Sequence, residues 1–169
     1  MRIYLVRHGD AIDRETPGLN SDAERWLTDI GREEVGWTAN ILRQLNVKPD
    51  LILSSPYVRA YQTGEIIGEV IGPSATPETS DNLIYGGSFA GILSDINAHG
   101  APSQVVLTGH MPSIGELVGW LCWNDRHSAV RMRTAGMARI DMPDDRIAPG
   151  WGDLRWVLPP KAAQRLLED

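Results

Sequence analysis

The chain has 169 residues, 42% of them hydrophobic, which suffices for one buried core and falls short of two ordinary domains, so residues 1–169 are expected to form a single domain. Its formal charge of −6 comes from acidic residues scattered along the chain, which argues against broad binding of nucleic acid or anionic membrane and makes any anion site local. Cys122 is the one cysteine, which excludes an intrachain disulfide.

The first element is a short apolar run, Ile3-Tyr4-Leu5-Val6, followed at once by Arg7-His8-Gly9-Asp10. It reads as a buried strand that presents the next residues at its C-terminal end. With a strand this early, no charged-then-apolar leader, and no apolar stretch near the roughly 20 residues of a membrane helix, the expected location is cytoplasmic. The polar stretch that follows, DAIDRETPGLNSDAERW with Pro17 and Gly18, suggests a loop over the mouth of a sheet. Next, LTDIGREEVGWTANILRQLN spaces Ile30, Val35, Trp37, Ile41, Leu42 and Leu45 as a helix behind Thr28 and Asp29 as caps.

DLILSS predicts a second buried strand, and SPYVRAYQTGEIIGEVIG a helix with Ser55 at its cap and Pro56 in its first turn. A Pro- and Ser-rich loop, PSATPETSDNLIYGGS, is expected to end in a short strand. FAGILSDINAHG predicts a helix closed by Gly100, and SQVVLTGH another buried strand. In MPSIGELVGWLCW, Pro112 marks a turn, Ser113 and Glu116 stand at capping-box spacing, and Cys122 reads as a small core residue. MRTAGMARIDM and DLRWVLPP predict two final strands, the second stopped by its double proline. Alternating strands and helices up to Trp123 argue for a three-layer α/β/α sandwich with a mostly parallel sheet.

Three of these strands end in basic or hydroxyl-bearing turns: LVRHGD, LILSSPYVRA and VVLTGHM. In a parallel sheet those ends share one edge, where ligands bind, so Arg7, His8, Ser55, Arg59 and His110 are expected to converge. Arg7 and Arg59 each offer a planar fork of donors to an oxyanion, and the helix start near Ser55 adds free N–H groups. Gly9 suits a place where backbone approaches a ligand or turns sharply. An arginine directly after a buried strand is costly to bury without an anion, so the set describes a phosphate-sized pocket. His99 and His127 lack such a context and read as structural.

RHG after the first strand, SSPYVRAYQT around Arg59 and GHM at His110 resemble the motifs of the histidine phosphatase superfamily, with its phosphoglycerate-mutase-like fold. RHGDA, LTDIGREE and GHMPSIGELV look most similar to bacterial phosphohistidine phosphatases of the SixA type. The resemblance implies His8 as nucleophile, Arg7 and Arg59 as phosphate clamps and His110 as the second pocket histidine. Gly9, Asp10, Ser55 and Met111 are expected beside the substrate.

Larger members supply a glutamate acid from the segment after mid-chain, but here DNLIYGGSFAGILSDINAHG has none, only Asp81 and Asp95. An alkoxide leaving group needs such an acid and a protonated phosphohistidine imidazole does not, which favours an N–P bond. Cationic neighbours are expected to lower the His8 pKa and free its ring nitrogen, with no metal or cofactor required. Asp10 is read as a partner that orients a pocket cation or, in the alternative, as a weak acid; a carboxylate beside two arginines should stay ionised, which favours the first. The expected partner is a protein carrying phosphohistidine, or a small phosphorylated substrate. Alternatives are a small phosphomonoesterase using the same His8 chemistry, a metal-dependent hydrolase with His8, Asp10 and His110 as ligands, and a module that only binds phosphate.

Overall fold

The computed structural model describes residues 1–72, 76–100, 102–127, 130–143 and 147–168. In chain order its elements are β1 (Arg2–Arg7), α1 (Asp29–Gln44), β2 (Leu51–Ser54), α2 (Val58–Ile71), β3 (Glu78–Thr79), α3 (Phe89–Ala98), β4 (Gln104–Gly109), α4 (Ser113–Trp123), β5 (Met137–Asp141), β6 (Asp153–Leu158) and α5 (Pro160–Glu168). Short 3-10 turns at Asp22–Glu24 and Asp81–Leu83 interrupt the loops.

The six strands form one sheet in the order β3-β2-β4-β1-β5-β6. The first four run parallel, β5 lies antiparallel to β1, and β6 antiparallel to β5. Alternating side chains serve two cores, as a sheet covered on both faces requires. Ile3, Leu5, Val105 and Leu107 pack with Phe89, Ile92 and Leu117 of α3 and α4. Tyr4, Val6, Ile52 and Val106 pack with Val35, Ala39, Ile67 and Ala163 of α1, α2 and α5. The fold is thus the expected α/β/α sandwich. Cys122 belongs to the first core, where burial pushes its thiol up to about 11. Among the described residues no helix is long and apolar enough to cross a membrane.

Several local expectations change. Thr28 caps α1 by accepting the Gly31 N–H, but Ile30 and Leu45, read as part of its apolar stripe, are exposed. Helix α2 starts at Val58 behind Tyr57, so neither Ser55 nor Pro56 is its cap or first turn. Ser113 forms no capping box; α4 begins after Pro112, and the Ser113 hydroxyl accepts the Gly86 N–H instead. The short strand of the Pro- and Ser-rich loop lies at Glu78–Thr79, ahead of its end, and residues 73–75 of that loop lie outside the described residues. The double proline does end β6, yet Pro160 also opens α5, because a proline's missing N–H is harmless in a first turn.

Candidate active site

Strands β2, β4 and β1 are neighbours, and their parallel register sets Ser54 beside Thr108 and Arg7 beside Gly109. The pairing continues one residue further: the His8 N–H donates to the Gly109 carbonyl (3.0 Å) and the Ser55 N–H to the Thr108 carbonyl (2.9 Å). His8, Ser55 and His110 therefore leave the sheet on one edge. Over that edge opens a cleft of about 460 Å³ whose wall includes Arg7, His8, Arg59 and His110.

His8 is held in one protonation pattern. Its Nδ1 lies 2.7 Å from the Gly9 carbonyl, and since a carbonyl only accepts, Nδ1 carries the hydrogen of the neutral ring. Nε2 keeps its lone pair, which receives a long contact from Arg59 Nε at 3.4 Å. Burial is the main cause that lowers the His8 pKa, to about 4. The Gly9 bond opposes it, while Arg59, Arg7 and Arg25 add to it. The expected direction holds, but desolvation leads and the cations follow.

His110 is buried beside it, with ring centroids 5.1 Å apart. Burial first, then the neighbouring His8 and Arg59, lower its pKa to about 3. Its Nε2 meets the Ser55 hydroxyl at 2.8 Å, and the Tyr57 ring lies 5.0 Å away. Arg7 is anchored through Nη1 to the Met132 carbonyl at 2.9 Å. Among the described residues no protein group accepts or donates a hydrogen bond at the buried Arg7 Nε and His110 Nδ1.

Arg59 departs from the expected free fork. Its Nη1 donates to the Asp22 carbonyl (2.6 Å) and its Nη2 to the Asp22 carboxylate (2.8 Å), while its guanidinium lies over the Tyr57 ring. Asp22 also receives Arg14 at 2.8 Å and Arg25 at 3.1 Å. Burial works against its ionisation, yet the hydrogen bonds and charges of Arg59, Arg25 and Arg14 prevail and hold its carboxyl at about 2. The sequence reading placed this loop over the mouth but missed Asp22, Arg14 and Arg25 as part of the wall. The one available signal was the acidic and basic residues in SDAER, which no spacing rule ties to a site.

The remaining expectations divide. Met111 and Asp10 do line the cleft. Asp10 accepts the Thr28 hydroxyl at 2.8 Å and so braces the start of α1. At Gly9 it is α1 that presses close: a Cβ there would lie 2.8 Å from the Gly31 carbonyl and 2.8 Å from Val35. Ser55 is fully buried behind His110 and reaches the cleft only through that ring. From the segment lacking a glutamate, Tyr85 reaches the cleft, whereas Asp95 turns to Ser80 and Asn82. His99 bonds Glu78 and the Asp95 carbonyl on the surface. Among the described residues no group of three or more His, Cys, Asp or Glu side chains is arranged to hold a metal.

Comparison with known proteins identifies the family. Residues 3–99 match the model of the histidine phosphatase superfamily (branch 1). An uncharacterized protein of Picosynechococcus is 31% identical over 94% of this chain and 100% of its own length. Phosphohistidine phosphatase SixA of Escherichia coli is 29% identical over 95% of this chain and 94% of its own. A solved structure of the protein histidine phosphatase SixA complexed with tungstate superimposes with a TM-score of 0.81 at 27% identity, covering 95% of this chain and 98% of that one. A match over more than half the sequence, joined to full-length likeness in sequence and fold, means that the chain belongs to the histidine phosphatase superfamily and is a homologue of the phosphatase SixA.

Proposed function

We propose that this phosphatase hydrolyses phosphohistidine on a protein partner through a phosphorylated His8. The observation that carries the reading is the Nδ1–H bond from His8 to Gly9, which leaves Nε2 unprotonated in a cleft walled by Arg7, Arg59 and His110. Nε2 attacks phosphorus, the N–P bond of the substrate breaks, and an imidazole protonated at its other nitrogen departs neutral. Water then attacks phosphorus on His8, the enzyme's N–P bond breaks, and inorganic phosphate leaves. Fixed cations and the unpartnered Arg7 Nε and His110 Nδ1 would hold the three phosphoryl oxygens through both steps, since positioning and electrostatics carry most of phosphoryl transfer.

The leaving group follows from the carboxylates in the wall. Among the described residues of the wall the carboxylates are Asp22, held ionised by three arginines, and Asp10, which accepts the Thr28 hydroxyl, and neither is a carboxylic acid held protonated for an alkoxide by its surroundings. This supports an N–P substrate over a sugar phosphate, and the name of the SixA relative points the same way. Incubation with labelled phosphoramidate, followed by a rapid quench, should leave a label on His8 that survives base and is lost in acid. His8→Ala should abolish label and turnover. A label on serine, or turnover by His8→Ala, would end the proposal, and a higher kcat/KM for alkyl phosphates than for a phosphohistidine peptide would move the substrate to small metabolites.

A further inference from the structure

A buried hydroxyl links the backbone of the Arg59 helix to the backbone beside His8. Thr63 sits one turn beyond Arg59 on α2 and is fully buried. Its Oγ1 donates to the Arg59 carbonyl at 2.7 Å, a common habit of threonine in a helix, and this leaves its oxygen lone pairs free. The Gly9 N–H donates to that oxygen at 3.1 Å. The Gly9 carbonyl, in turn, receives the His8 Nδ1–H. One chain of hydrogen bonds therefore runs from the backbone of Arg59 through Thr63 and Gly9 to the ring of His8.

Gly9 has little freedom to compensate if this chain is cut. Strand β1 ends at Arg7, so no ladder partner takes the Gly9 N–H, and the space at its Cα is closed by Gly31 and Val35. A buried N–H without an acceptor is costly, so loss of the hydroxyl would strain the His8–Gly9 peptide, whose carbonyl accepts the Ala135 N–H at 3.1 Å, and shift the torsions at Gly9 that set the direction of the next carbonyl. Which nitrogen of a neutral histidine carries the proton is set by the bond made at the other. We infer that Thr63 is a positioning residue, whose hydroxyl holds the Gly9 N–H and thereby the backbone angles at Gly9 that aim the next carbonyl at the ring, keeping His8 in the Nδ1–H form with Nε2 open toward phosphorus.

The inference rests on the proposed role of His8, but its test can be read apart from it. Thr63→Val keeps the shape and removes the hydroxyl, and Thr63→Ser restores it. In the full chain, long-range ¹H–¹⁵N spectra at neutral pH should show wild-type His8 as a single Nδ1–H form, Thr63→Val as a mixture, and Thr63→Ser as wild type. With phosphoramidate, Thr63→Val should lower kcat by up to about 100-fold with KM nearly unchanged, and Thr63→Ser should recover most of it. Should Thr63→Val not fold, Thr63→Ala gives the same two readings without a methyl beside the Gly9 N–H. A folded variant without the hydroxyl that keeps its kcat, or loses it while His8 stays wholly Nδ1–H, overturns the inference. If wild type proves inactive on phosphoramidate, the function fails, while the spectra alone still decide whether Thr63 sets the ring.

Discussion

Asp22 occupies the middle of three guanidinium groups, and its effects on binding and on turnover should have opposite signs. Its charge offsets Arg14, Arg25 and Arg59, so Asp22→Asn leaves the cleft more positive and should tighten tungstate, a phosphate-like oxyanion, severalfold. The same change loosens the fork that aims Arg59 Nε at His8, which should lower kcat by about tenfold. Steady-state kinetics with tungstate as competitive inhibitor reads both; weaker tungstate binding with unchanged kcat would show that Asp22 does neither. Neither Asp22 nor Thr63 was legible in the sequence. His8 and His110 announce themselves because each directly follows a strand, and Arg7 because it ends one, a local fact. Asp22 meets Arg59 across 37 positions and Thr63 meets Gly9 across 54, and only the packed fold brings such pairs together.

Helix α1 reaches the nucleophile's turn because two glycines face each other there. A Cβ on Gly31 would lie 2.1 Å from the Asp10 carbonyl, while one on Gly9 would strike the Gly31 carbonyl. Gly36, further along α1, has nothing within 4 Å of such a Cβ. Gly31→Ala must therefore push the helix off the His8 segment, at a cost of about 1–3 kcal/mol or more, and lower activity with it. Gly36→Ala should instead add about 0.5–1 kcal/mol by restricting the unfolded chain and favouring helix. Urea unfolding of the two variants beside wild type checks both, and equal effects would refute the asymmetry. At this scale the sequence was a good guide where apolar runs are long: β1, β2, β4 and the bodies of α1 to α4 fall where periodicity put them. It was a poor guide to ends and to α5. Ser55 and Ser113 look like caps, but tertiary partners, His110 and Gly86, claim their hydroxyls. In PPKAAQRLLED the prolines read as a stop, although Pro160 is also a valid first helical residue and Ala163 packs in the core shared with α1.

Across the whole molecule a chain of net charge −6 keeps a cationic cleft, with Arg7, Arg14, Arg25 and Arg59 set against Asp10 and Asp22. Two imidazoles, the half-buried His8 and the buried His110, lie among those cations, and this sets how stability responds to acid. His8 and His110 have folded pKa values of about 4 and 3, chiefly through burial, whereas in the unfolded chain both return to about 6.5. Between these limits the unfolded chain binds more protons. The contribution of the neutral rings is thus fully present above pH 6.5 and is lost as pH falls from 6.5 toward 4, with a slope approaching about 1.4 kcal/mol per pH unit for each ring. The rings are 5.1 Å apart and titrate as a pair, so the slope belongs to both together. Asp22 adds its loss in a separate window, as pH falls from 3.8 toward 2. Urea unfolding at pH 7.5, 6.5, 5.5 and 5.0 should show wild type weakening steadily, and a His8→Ala/His110→Ala double variant weakening much less, because His99 and His127 remain in both proteins and cancel in the difference. Equal slopes would mean that the two rings accept protons in the folded cleft as readily as in water. Tungstate should flatten the wild-type slope, since an anion between the rings and the arginines favours the protonated imidazoles that the empty cleft excludes.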